Sequence, residues 1–378
     1  MRRISLVFLI VISLTCRVLG SVGTTSGEIV TIPVGARQVG MGEVGVVNKD
    51  GSSIWWNPAG LGYIAENGDI EITHLGMYEG MNADFISGSI PLKGEIKEFG
   101  VIGVGLGILD IGEIKKYTSS GYENGEMNLR TKVMKIGYGR KLVGERNELR
   151  IGLGIKSIQD DLGEAKGKGM GIDIGWIYKL EGGGWSGGEP VEVGMSLQNL
   201  GGKLQYENES YPLPQIIRIG LRWGKDIGIC DIDTEIELMK EGTLSAFKAG
   251  VEFKIKKIFS LRMGYKSTGN TDISDGLRIG FGVNILNVNL DYAYSGYGEL
   301  GVVHRISIGI KFGKVLDIEG IKAGGIDPKE AFRRGMKYYE EGKYAEAVLE
   351  FNKVLEVEPM NEEAFEMMKK ASEKLKEK

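Results

Sequence analysis

The chain is expected to fold as an all-β transmembrane β-barrel of about fourteen antiparallel strands, followed by a small all-α C-terminal domain, and three observations carry this. Between Gly68 and Gly313, stretches of roughly ten residues alternate apolar with polar or glycine and end in turn residues. The first twenty residues read as an export signal. After Gly313 the apolar period changes from two residues to that of a helix.

Arg2 and Arg3 precede an apolar run from Ile4 to Leu14, and Val18 and Gly20 suit a small-residue cleavage site, so residues 1–20 are assigned as a signal peptide. The run is too short to span a bilayer, which takes about 20 apolar residues. Residues 21–67 follow no clear period and are assigned as an N-terminal, plug-like lumen segment.

The barrel is placed at 68–313, with strand centres near Ile72, Ile86, Val104, Ile136, Leu153, Ile174, Met195, Ile219, Glu235, Gly250, Met263, Gly280, Leu290 and Ile308. In Gly276 to Ile285, the residues Leu277, Ile279, Phe281, Val283 and Ile285 share one face, and Arg278, Gly280, Gly282 and Asn284 the other. Long connections, such as Asp110 to Asn128, Asp160 to Lys168 and Asn199 to Leu213, alternate with short ones, such as Lys254 to Lys257. That alternation fits outer loops and periplasmic turns, with both chain ends on the periplasmic side.

An arginine or lysine at the lipid midplane costs about 2–4 kcal/mol. The charged columns Arg218 and Arg222, and Asp231, Asp233, Glu235 and Glu237, are therefore assigned to the lumen. Lys248 and Lys254 on the following strand offer them further cross-strand partners. Sixty glycines against eight prolines is unusual, and many of the glycines fall within strands. Glycine there implies close backbone approach or an open lumen.

The net charge of −4, about −7 without Arg2, Arg3 and Arg17, lacks the basic footprint of a nucleic-acid binder. Without the signal only Cys230 remains, so no internal disulfide is available. His74 and His304 stand far from metal-type clusters, and no catalytic, metal or cofactor site is assigned. The GVGLG and GKGMG runs lie in alternating strands, without the strand-turn-helix setting of a phosphate loop.

A linker at 314–326 leads to a helical domain at 327–378, with Asp327 and Pro328 placed as N-cap and first-turn proline. This stretch resembles a tetratricopeptide repeat: Gly335, Tyr338, Tyr344, Ala347, Phe351 and Pro359 fall at that motif's small, aromatic and closing positions. Ala331 and Arg334 depart from its usual tryptophan and leucine. The resemblance makes Tyr338, Tyr344 and Phe351 candidates for binding a periplasmic or secreted protein.

The segment GARQVGMGEVGVVNKDGSSIWWNPAGLG resembles the N-terminal signature of the PorV/PorQ family, related to FadL-type outer-membrane barrels. Its carriers are Gly35, Ala36, Arg37, Met41, Gly42 and the run Trp56 to Leu61, while Glu43 and Val44 replace the usual Gly-Ala pair. The resemblance implies a fourteen-stranded barrel in the bacterial outer membrane with a partial plug, for which Arg37, Trp55, Trp56, Asn57 and Pro58 are the candidate residues. Two non-enzymatic functions are open. One is an accessory of protein secretion or surface attachment; the other is a passive channel for hydrophobic small molecules. A soluble exported sandwich would show the same alternation without needing membrane lipid.

Overall fold

The computed structural model describes residues 25–64, 67–92, 100–143, 147–163, 165–182, 186–268, 275–313, 328–358 and 361–376. The signal peptide, the linker, Asp327 and Pro359 lie outside them. The chain divides into two compact units, Met1–Lys314 and Val315–Lys378.

Among the described residues, the first unit holds fifteen strands in one antiparallel sheet. They are β1 (Asn67–Gly76), β2 (Asn82–Pro91), β3 (Val101–Tyr117), β4 (Glu123–Val143), β5 (Glu148–Asp161), β6 (Lys166–Leu180), β7 (Val191–Gln205), β8 (Ser210–Pro212), β9 (Ile216–Asp226), β10 (Cys230–Glu241), β11 (Leu244–Ile255), β12 (Phe259–Ser267), β13 (Gly276–Ile285), β14 (Val288–Gly296) and β15 (Val302–Gly313). β8 is a three-residue stub on the end of β7. The other fourteen close into a cylinder, because β15 pairs with β1 and β7 pairs with both β6 and β9. Closure leaves no open edge, which is what a sheet in hydrocarbon requires.

The period of two decides which face each residue takes. Ile72, Ile136, Leu153, Ile172, Phe281 and Ile308 point outward and are each about half exposed. Lys135, Arg218, Glu237, Lys248, Glu252, Arg278 and Arg305 point inward and are buried. So continuous an apolar exterior needs a membrane around it, and the chain is an outer-membrane barrel. Each strand centre expected from sequence falls within one of the fourteen long strands.

The strand ends differ from the expectation. β3 and β4 run on to Tyr117 and from Glu123, so the supposed long loop Asp110 to Asn128 is mostly paired strand. β5 and β6 shorten the next loop in the same way. Beyond the hydrocarbon the outer face no longer has to be apolar, so alternation fades before the hydrogen-bond ladder does. We call the end carrying the short turns, Asn67 and Gly313 the near rim, and the end carrying these hairpins the far rim.

The second unit consists of α3 (Pro328–Glu340), α4 (Tyr344–Val357) and α5 (Glu362–Lys376), numbered after α1 (Ala36–Gly40) and α2 (Ser53–Trp56) of the first unit. Gly342 at φ 74° turns α3 into α4, and the Asn361 Oδ1 caps α5 by accepting from Ala364 N at 2.9 Å. Phe351 is fully buried beside Ala347 and Ala371. A β-carbon on Gly335 would stand 2.7 Å from its ring. Phe351 therefore organises the helices and offers no surface, whereas Tyr338 and Tyr344 are half-buried.

Ile136→Arg should destabilise the barrel by about 2–4 kcal/mol in lipid-vesicle unfolding, while leaving the helical unit's hydrogen exchange unchanged. Phe351→Ala should cost the helical unit about 3–5 kcal/mol, read as faster exchange over 328–376 with the barrel's exchange unaltered.

Candidate functional site: a filled lumen

The segment before β1 runs the length of the barrel interior. At the far rim, Ser26 N donates to Pro212 O at 3.2 Å, and the Ser26 and Tyr206 hydroxyls share a hydrogen bond at 2.9 Å. Towards the near rim, Gly62 O accepts from Arg150 Nε at 3.1 Å, just before β1 starts. The described N-terminal end therefore lies at the far rim, opposite Gly313, and the expected placement of the chain's first end falls on residues 1–24, outside the described residues.

Glycines on the inner wall make room for this segment. A β-carbon on Gly264 would stand 1.9 Å from Gly42 N, one on Gly250 2.0 Å from Met41 O, and one on Gly152 2.2 Å from Ala59 N. Gly103 and Gly105 of the GVGLG run similarly face Leu61 and Trp55. The strand glycines therefore serve close approach, the first of the two roles expected for them.

The plug-like candidates lie in this contact zone. Asn57 is fully buried; its Nδ2 donates to Val46 O at 2.7 Å and to Met195 O at 3.3 Å, and its Oδ1 accepts from Ala59 N at 3.1 Å. Pro58 occupies the first turn of the 3-10 helix Pro58–Tyr63, where its missing N–H costs nothing. The Trp56 Nε1 donates to Val34 O at 3.0 Å, and its ring lies under the Arg218 guanidinium at 4.9 Å. Trp55 meets Phe85 edge-on at 5.2 Å and carries Lys135 5.4 Å above its ring. Arg37 bonds to Glu252 through Nη2 at 2.8 Å and Nε at 3.1 Å.

The charged columns form ion pairs across the wall. Arg218 meets Glu237 at 2.8 Å, and the same carboxylate accepts from Gly45 N and Val46 N, each at 3.0 Å. Arg222 lies 2.9 Å from Asp233 and 3.7 Å from Glu235, and Lys254 reaches Asp233 at 3.3 Å. Asp231 stands opposite Lys254 in the ladder.

Three anionic centres were missed by the sequence reading. Glu43, in the left-handed region at φ 64°, is surrounded by Lys266 and Arg278 at 3.3 Å and Lys248 at 3.8 Å. These cations supply the counter-charge that a buried carboxylate requires. Asp173 joins Lys135 and Lys156, each at 2.8 Å, and Glu252 joins Arg37 to Arg262. Alternation places Asp173 and Glu252 on the lumen face, whereas Glu43 lies in the aperiodic segment, and only the strand register and the path of the plug give all three their partners.

The lumen is not uniformly ionic. Its far half closes over an apolar cluster of Ile29, Val34, Leu75, Phe85, Ile158 and Leu213. Its near half keeps a cavity of about 230 Å³ lined by Arg37, Lys49, Arg222, Lys254 and Asp291 among others. There the Lys49 ammonium lies 2.6 Å from Glu192.

Among protein families, the sequence model of PorV, described as type IX secretion system protein PorV, matches residues 19–238. No curated protein matches the chain. Among solved structures, the toluene transporter TbuX of Ralstonia pickettii is 12% identical, with 75% of this chain and 98% of that one covered at a TM-score of 0.47. A FadL homologue of Pseudomonas aeruginosa is 9% identical, with 74% and 98% covered at a TM-score of 0.41.

Removing the negative centre should release the plug. Glu43→Gln removes the buried carboxylate shared by Lys248, Lys266 and Arg278, at a cost of about 3–5 kcal/mol, and should raise hydrogen exchange over 36–61. Gly152→Val should do the same through sterics, and unchanged exchange in both variants would show that neither contact seats the segment.

Proposed function

The chain belongs to the PorV family, and from that premise we propose that it is a non-enzymatic accessory of protein secretion or surface attachment in the bacterial outer membrane. In this reading residues 1–20 are removed on export and no cofactor is needed. The near rim faces the periplasm, where the helical unit acts as a tetratricopeptide-like module that docks a periplasmic or secreted protein.

The observation that carries this reading is the filled lumen. A segment tied to the wall at Glu252, Glu237, Asp69 and Ser307 makes the barrel a rigid platform better suited to holding partners than to conducting bulk solute. The Gly335 and Phe351 packing supports the repeat assignment, since the motif needs a small residue under an aromatic at those positions. Partner contact then falls to surface groups around Tyr338 and not to Phe351.

A passive channel for hydrophobic small molecules is the second reading, and the apolar far half of the lumen favours it. On that path an apolar solute would also have to cross the ionic near half, where every step past Arg222, Asp233 and Glu252 opposes it.

Pull-down through the full chain should recover a partner that Tyr338→Ala loses by about thirty-fold, the loss that truncating a hot-spot aromatic worth about 2 kcal/mol gives; equal recovery would remove the docking role. Protease added to whole cells should leave the helices intact until the outer membrane is opened. Deleting residues 35–62 should raise ion conductance in planar bilayers, and liposome uptake of a long-chain apolar solute by the intact chain would favour the channel.

A further inference from the structure

Outward-facing positions near the far rim of β3–β7 change abruptly from apolar to basic. Met134, Ile136, Ile155, Met170 and Ile172 form an apolar wall, each between 45% and 64% exposed. One outward position further along, Lys132 on β4 pairs with Gln159 on β5, and Gln159 with Lys168 on β6. Lys203 on β7 stands opposite Met170. Above them lie Arg130, ion-paired with Asp110, and Lys166, 3.2 Å from Asp161.

Lys132, Gln159 and Lys168 line a recess of about 610 Å³ at the protein surface together with Arg130 and Lys166, and its lining also holds the carboxylates Glu113, Asp160 and Asp161. Among the described residues, the Lys168 and Lys203 ammonium groups make no side-chain hydrogen bond or ion pair, and Lys132 acts on Asp161 only at longer range. Outward positions near the far ends of other strands carry Asp84, Tyr265 and Tyr294, and on β10 Lys240, whose ladder partners are Ile217 and Ser245.

We propose that this recess binds the phosphorylated headgroup of a membrane lipid, whose acyl chains lie along the Met134–Ile136 and Met170–Ile172 wall. Neighbouring strands lie about 4.8 Å apart, so Lys132 and Lys168, two strands apart, can close on one phosphate from either side. Successive outward positions are about 7 Å apart along a strand, so the same molecule passes from the lysines to the methionines without a gap. Lysine suits such a boundary, because its stem lies on apolar surface while its ammonium reaches the polar layer. A soluble anion would make no use of the apolar wall. A lipid without phosphate would leave the lysine charges unmatched.

The test uses the full chain in nanodiscs containing diphosphoryl lipid A or the same lipid stripped of its phosphates, with retained lipid read by native mass spectrometry. Each lysine near a lipid phosphate contributes about five-fold in affinity. Lys168→Gln should therefore lower retention of the phosphorylated lipid about five-fold, and Lys132→Gln, Lys168→Gln and Lys203→Gln together about a hundred-fold. Lys225→Gln with Lys256→Gln at the near rim should change nothing.

Equal retention of the two lipids, full retention by the triple variant, or an equal loss in the near-rim pair would overturn the proposal. So would displacement of the lipid by inorganic phosphate, which would mark a site for a soluble anion. If the triple variant does not fold, Lys168→Gln alone carries the test. None of these outcomes depends on the plug or the helical unit, so they are separable from the secretion reading.

Discussion

The backbone of the N-terminal segment lies directly against the backbone of the barrel wall, and most of the first unit follows from that contact. At Gly152, Gly250 and Gly264 any side chain would intrude to about 2 Å or less from plug backbone atoms. Glycine weakens a strand by offering no side chain to pack. Here the plug supplies the missing packing, and the closed ladder keeps the wall intact around it. The glycine-rich composition and the seated segment are thus two sides of one arrangement.

The lumen charges follow from the same contact. Once the segment occupies the interior, inward-facing ions lose water and must find partners in the wall or the plug. Glu237 takes Arg218 from the wall and two backbone N–H groups from the plug, while Glu252 takes Arg262 from the wall and Arg37 from the plug. Buried ion pairs of this sort add little net stability against an apolar alternative, because desolvation offsets attraction. Breaking one of them is costly, so they discriminate strongly between one seating of the segment and any other.

Towards the far rim the logic changes. Ile29 and Val34 meet Leu75, Phe85, Ile158 and Leu213, and an ordinary apolar core replaces the ionic network. The interior is therefore layered, and a solute crossing it would have to disturb two kinds of packing. The helical unit rests on a different economy of residues: a small one at Gly335 admits Phe351, around which Ala347 and Ala371 pack.

By itself the sequence determined the strands and their faces, because lipid on one side and a polar or filled lumen on the other imposes a period of two that any ten-residue window displays. It also pointed to the columns from Arg218 to Glu237 through residue type and parity, and to Arg37 and Asn57 through the likeness of their segment to a family signature. Only the tertiary structure decided where β3 and β4 end, since alternation stops with the lipid while hydrogen bonding continues. Only it decided that Glu43 pairs with Lys248, Lys266 and Arg278, residues at least 205 positions away. Such partnerships depend on register around the whole cylinder and on the route of the plug, and no local pattern carries either.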